Sequence, residues 1–159
     1  MLPLEIKGMN PARRREVAMR QLAHVGLAGF EGKYPWQLSG GMQQRVSIAR
    51  ALGFEPRILM MDEPFGALDE ITRDRLNEQL LALWNSERRT VIFVTHSIPE
   101  AAFLSSKIVV MSARPGRVVE VIESGLPPER TLEIRETVQF TDVAHRIRLA
   151  LRRGESYDD

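Results

Sequence analysis

The chain of 159 residues has no cysteine, only three lysines among its 22 basic residues, and no apolar run longer than five residues. Without cysteine there is no disulfide framework, no thiolate zinc or iron–sulfur site and no cysteine nucleophile, which points to an intracellular compartment. Basic and acidic side chains nearly cancel, 22 against 21, for a formal net charge of +1. A general nucleic-acid footprint needs a large positive excess, so no nucleic-acid partner is expected. Runs such as Leu80 to Trp84 and Ile108 to Met111 fall far short of the roughly 18 residues a spanning helix requires. Met1 to Asn10 contains Glu5 and Lys7 and has no apolar h-region, so no signal peptide is expected. Because the lysines are only Lys7, Lys33 and Lys107, any chemistry that needs one at a set spacing is decided by inspection.

What is present reads as alternating helices and strands in one domain of ordinary size. Asn10-Pro11 is an N-cap followed by proline at the first helical position, with Ala18, Leu22 and Val25 at helical spacing before Gly26 stops the run. Arg13-Arg14-Arg15 on that helix reads most simply as a solvated polar face, with phosphate or lipid contact as the alternative. Tyr34-Pro35-Trp36 is an irregular link into Ser39-Gly40-Gly41, after which Met42, Val46, Ala49 and Leu52 mark one face of a helix closed by Pro56. Ile58 to Met61, stopped by Asp62-Glu63-Pro64, has the pattern of a strand buried on both faces. Asp69 to Trp84 carries Leu76, Leu80 and Leu83 in helical register, and Val91 to Thr95 is β-branched, which completes a βαβ unit. Ile108 to Met111 and Val118 to Ile122 flank Pro115-Gly116 as a hairpin. A last amphipathic helix shows Phe140, Val143, Ile147 and Leu151 on one face, before an acidic tail from Glu155 to Asp159 that is expected to be disordered.

Three places carry chemistry. Ser39-Gly40-Gly41 before a helix is either an anion site, since first-turn N–H groups lack acceptors and the helix dipole adds partial positive charge, or simply an N-cap. Met42 stands three residues after Ser39, so no reciprocal capping box forms there. Asp62-Glu63 lies at the carboxyl end of a strand, where open α/β sheets bind ligands. Two adjacent carboxylates repel unless a cation or proton offsets them. Asp62 on Mg²⁺ with Glu63 aimed at an attacking water resolves the conflict, and a solvated acidic turn is the bland alternative. His96 follows the second β-branched run and reaches the same sheet edge, whereas His24 and His145 lie on helices without such company. Asp69 reads as a helix cap.

Leu38-Ser39-Gly40-Gly41-Met42-Gln43-Gln44-Arg45, then Ile58 to Pro64, then Ala67-Leu68-Asp69, then Thr95-His96 resembles the ATP-binding subunits of ABC transporters, as signature motif, Walker B, D-loop and switch histidine in that order. Glu63 to Asp69 together with Met111 to Arg117 looks like the importer branch for nitrate, sulfonates, taurine and related small solutes. The resemblance implies a partial P-loop NTPase α/β fold, the C-terminal portion of an ABC-type nucleotide-binding domain, with parallel core strands, a signature helix and a C-terminal hairpin plus helix. Its parts would be 1–56 as helical signature region, 57–125 as partial catalytic core and 126–159 as C-terminal extension. The implied cofactors are ATP and Mg²⁺. Ser39, Gly40, Gly41 and Gln43 would contact nucleotide held mainly by an opposite subunit, and Asp62 would hold Mg²⁺ through water. Glu63 would polarise the attacking water, His96 would touch the γ-phosphate, and Asp69 would act across the dimer interface. The implied partners are a second ATP-binding subunit, permease subunits and, indirectly, a periplasmic or lipid-anchored solute-binding protein, placing the chain on the cytosolic face of the membrane.

The same family needs a P-loop, G-x-x-x-x-G-K-[ST]. Lys7 precedes Gly8 and Lys107 follows Ser106, so neither fits. Gly32-Lys33 is nearest, but Leu27 takes the first glycine's place, Tyr34 replaces Ser/Thr and Pro35 removes a backbone donor. No P-loop is present in this sequence, nor the aromatic adenine-stacking loop or the glutamine loop. The expectation is therefore a truncated importer ATPase subunit, inactive alone. The alternatives are a non-catalytic partner that supplies its signature in trans, or a defunct fragment. Loss of the P-loop strand should also bare a β-branched sheet edge.

Overall fold

The computed structural model describes residues 2–66, 68–87 and 89–155, and the chain divides into a first unit, Met1–Val94, and a second, Thr95–Asp159. The first holds helices α1 (Leu2–Ile6), α2 (Pro11–His24), α3 (Gly40–Leu52) and α4 (Glu70–Glu87) with strands β1 (Ile58–Asp62) and β2 (Thr90–Val94). Asn10 caps α2 by accepting from the Arg13 N–H at 2.9 Å, with proline in the first turn. Gly26, at φ +68°, follows the end of α2 with a backbone angle that side chains avoid. The buried stripe of α2 is Val17 and Gln21, continuing to Val25. The expected Ala18 and Leu22 are only half-buried, so the inward face is centred one position earlier than their spacing suggests. Arg13 and Arg15 are exposed, and Arg13 pairs with Glu16 at 2.6 Å and Arg14 with Glu5 at 3.1 Å, as a solvated face requires.

The link at Tyr34 to Trp36 is more regular than expected. Pro35–Gln37 is a 3-10 turn, and the Tyr34 and Trp36 rings stack at 4.5 Å with 4° between planes. Helix α3 ends at Leu52, before Pro56; its buried face is Ile48, Ala49 and Leu52.

β1 and β2 pair in parallel from Ile58↔Thr90 to Asp62↔Val94 with α4 between them in sequence, which is the expected βαβ unit. Burial along β1 corrects the reading of a doubly buried strand. Leu59 and Met61 are buried, whereas Ile58 and Met60 are exposed at 56% and 73%. The reason is architectural: among the described residues the sheet has two strands, and only the face carrying Leu59 and Met61 is covered. Phe65, fully buried, packs near Phe93 with ring centroids 5.8 Å apart. On the other face Ile92 and Val94 are 46% and 49% exposed.

The second unit contains α5 (Ile98–Leu104), the antiparallel strands β3 (Lys107–Met111) and β4 (Val118–Glu123), a 3-10 turn at Leu132–Glu136 and helix α6 (Val138–Glu155). The hairpin and final helix are as expected. α6 packs against both strands and α5 through Phe140, Val143, Ile147 and Ala150, with Leu151 only half-buried. A methyl group at Gly154 would come within 3.2 Å of the Ser112 Cα, so glycine permits the close approach of helix end to hairpin. Arg146, at 3.3 Å, and Arg153 both pair with Glu120. Neither α5 nor the short α1 was expected. Of the other expectations, Ala67 and the tail from Ser156 to Asp159 lie outside the described residues. Among the described residues no helix is long and apolar enough to cross a membrane.

Candidate functional site

Ser39 does what its position before a helix dictates. Its hydroxyl accepts from the Met42 N–H at 3.3 Å, and its carbonyl accepts from the Gln43 N–H at 2.9 Å. Gly40 and Gly41 occupy the first turn of α3, where amides have no intrahelical acceptor and point toward whatever lies beyond the helix end. Both Ser39 and Gly40 are exposed. Gln43 turns back: its side-chain amide donates to the carbonyls of Pro35, at 3.0 Å, and Leu38, at 3.1 Å. It thereby fixes the loop that leads into the helix.

The glycine at 41 has a packing reason. A Cβ there would lie 2.9 Å from Thr72 Cγ2 in the first turn of α4, while one at Gly40 would meet Leu68 Cδ2 at an ordinary 3.8 Å. The structure therefore brings the α3 N-terminus against the segment carrying Leu68 and Asp69. Asp69 caps α4 by accepting from the Thr72 N–H at 2.9 Å. The Thr72 backbone N–H, then its side chain, hold the Asp69 carboxyl below the usual carboxylate range. Arg73 steadies the same segment by donating to the Leu68 carbonyl at 2.8 Å, a role that sequence reasoning missed and that its spacing four residues after Asp69 could have suggested.

Asp62 ends β1 and Glu63 follows it, both exposed. Glu63 sits at φ +43°, in the left-handed region that side chains avoid. Its N–H donates to the Val94 carbonyl at 2.8 Å, and its carbonyl accepts from Gly66 at 3.2 Å. These bonds on both sides hold a backbone that would otherwise relax, a kind of strain concentrated at functional positions. A Cβ at Gly66 would meet Glu63 Oε2 at 3.6 Å, so the carboxylate folds over the turn that follows it.

Mg²⁺ in nucleotide sites keeps several waters and takes one or two carboxylates plus phosphate oxygens. An exposed strand-end carboxylate such as Asp62 fits that arrangement. Among the described residues no three His, Asp or Glu side chains gather as an all-protein cage.

His96 belongs to the second unit and is exposed between β2 and α5. Around it lie Thr95, whose hydroxyl donates to Glu100 Oε2 at 2.5 Å, and Ser97, whose N–H donates to Thr95 Oγ1 at 2.9 Å. Glu100 is buried, at 4% exposure. Neither Thr95 nor Glu100 was given a role from sequence, although Ser97 with Glu100 three residues on is a capping pattern that marks a helix start.

The family model described as ABC transporter matches residues 5–66. An ABC transporter ATP-binding protein of Methanocaldococcus jannaschii is 49% identical over 144 residues, 91% of this chain and 53% of the relative. The taurine import ATP-binding protein TauB of Yersinia pestis is 51% identical over 117 residues, 74% of this chain and 46% of the relative. Among solved structures, the dimeric ATP-binding cassette MJ0796 bound to ADP and Pi superposes with a TM-score of 0.59 and 37% identity, covering 72% of this chain and 49% of that one. The chain thus spans about half the length of the curated relatives it matches. Motif order, parallel βαβ core and these matches agree: residues 5–66 match the ABC transporter family, and most of the chain is similar to that family's ATP-binding proteins.

Proposed function

We propose that this chain serves as an ATP-binding subunit component of an ABC importer for small solutes of the taurine, sulfonate or nitrate kind, placing its signature helix against nucleotide held by a second subunit. The observation that carries the reading is the exposed, glycine-lined first turn of α3 beside the Asp69 cap. Phosphoryl transfer is catalysed mainly by positioning and by charge stabilisation. Gly40 and Gly41 supply backbone N–H groups and the positive end of the helix dipole to the γ-phosphate, and Ser39 and Gln43 hold that turn in place. Asp69 acts across the interface between subunits. The 51% identity with a taurine import protein over 74% of the chain supports the solute class.

Where a P-loop is supplied, Asp62 would hold Mg²⁺ through water, Glu63 would polarise the attacking water, and His96 would contact the γ-phosphate. The metal would supply positive charge beside the transferring phosphoryl group. The resulting complex would sit on the cytosolic face of permease subunits, which with a solute-binding protein choose the solute.

The test mixes this chain with a complete taurine-type ATP-binding subunit whose own signature serine is replaced by arginine. ATP hydrolysis should rise on mixing, and Ser39→Arg in this chain should remove the gain; a rate unchanged by mixing would refute the reading. Glu63→Gln separates the two versions of it. The gain survives if this chain contributes only its signature in trans, and falls if its Walker B carboxylates also work.

A further inference from the structure

Three hydrogen bonds close around the residue on either side of His96. The Ser97 N–H donates to Thr95 Oγ1 at 2.9 Å, the Thr95 hydroxyl donates to Glu100 Oε2 at 2.5 Å, and the Glu100 N–H donates to Ser97 Oγ at 3.4 Å. In an ordinary capping box the glutamate three residues into the helix takes the N–H of the capping residue itself. Here Glu100 takes the hydroxyl of Thr95 instead, and Thr95 takes the Ser97 N–H. The box is thus relayed back across His96 to the last residue before it.

The consequence is directional. A hydroxyl has one proton, so Thr95 accepts from the backbone and donates to the carboxylate in a fixed sense, and each bond of such a chain polarises the next. Glu100 is 96% removed from solvent by the 4% exposure of its residue, and a buried carboxylate is costly unless such donors satisfy it. His96 itself is exposed. The residues that flank its imidazole are both tied to a buried group.

We propose that Thr95 and Glu100 are positioning residues for His96: the relayed box fixes the backbone on both sides of the histidine and so the direction of its imidazole. For ATP hydrolysis this rests on the reading of His96 as a phosphate contact given above, whereas the relay itself does not. A merely structural role would have the same bonds start α5 and leave the imidazole indifferent to them.

The chain's three histidines, His24, His96 and His145, give a test with internal controls. In the full chain labelled at histidine Cε1, Thr95→Val keeps the shape of the side chain and removes both its donor and its acceptor. The His96 Cε1–H signal should shift and broaden, His24 and His145 should stay in place, and Thr95→Ser should restore the wild-type His96 signal. Glu100→Gln offers a weaker acceptor and serves as the second variant should Thr95→Val fold poorly; it should move His96 in the same direction by less. A His96 signal of unchanged position and width in a folded variant that has lost the relay would overturn the proposal. No nucleotide enters this measurement, so failure of the mixed hydrolysis assay and failure of the relay are read separately.

Discussion

At Glu63 the backbone lies at φ +43°, where the clash of Cβ with a carbonyl costs about 1–2 kcal/mol for an ordinary residue. Glycine would relieve that clash but loses up to about 1 kcal/mol through the freedom it gains when unfolded. Glu63→Gly is therefore expected to raise stability by about 0.5–1 kcal/mol, read as a higher urea midpoint at constant slope. A lower midpoint for the glycine variant would show that the turn is not strained. Gly41 poses the opposite case. Alanine in a helix normally gains about 0.5–1 kcal/mol over glycine, but here its methyl would come 2.9 Å from Thr72 Cγ2, and such overpacking costs about 1–3 kcal/mol. Gly41→Ala should destabilise on balance, and adding Thr72→Ser, which removes that methyl, should recover most of the loss. Equal midpoints for the single and double variants would contradict the contact.

Among the elements, α6 is tied to β4 by charge as well as by its apolar face. Partial burial raises the Glu120 carboxyl, but hydrogen bonds and charge from Arg146 and Arg153 outweigh it and hold the group below its ordinary value of 4.5. A carboxylate lowered by folding adds stability that is complete above its unfolded value and is lost as pH falls through its folded one. The wild-type melting temperature should therefore fall more steeply than that of Glu120→Gln below about pH 4.5; parallel curves would rule the clamp out. The same scale shows what was legible in sequence. α4 and α6 were readable because their apolar spacing of 3.6 persists over several turns, and the strands of the βαβ unit and the hairpin because they are short apolar or β-branched runs bounded by turn residues. α5, with seven residues from Ile98 to Leu104, is too short to show a period, and only the Ser97–Glu100 pair marks it. β1 was misjudged because Ile58 to Met61 is apolar throughout, and composition cannot tell a covered face from a bare one. The motif residues Ser39, Gly40, Asp62 and Glu63 were visible as types at set spacings. The relay through Thr95 and the contact of Gly41 with Thr72 were not, because both depend on side-chain directions that spacing does not specify.

For the molecule as a whole, the first unit exposes Ile58, Met60, Ile92 and Val94 on one sheet face, and β2 carries no charge or proline along Thr90–Val94 to discourage pairing with another chain. Self-association that grows with concentration is expected. Met60 and Ile92 stand opposite each other in the register, so Met60→Glu with Ile92→Lys places complementary charges across the strands and should keep the chain monomeric in sedimentation. Association unchanged by the pair would locate the sticky surface elsewhere. The stacked Tyr34 and Trp36 rings also give the molecule an optical handle. Trp36 is 77% exposed, whereas Trp84 is half-buried with its indole N–H donating to the Arg89 carbonyl. With Trp84 replaced by phenylalanine, fluorescence would come from a single indole three residues before Ser39. Its emission colour and its quenching by iodide would then report directly, and in real time, when another surface covers the signature helix.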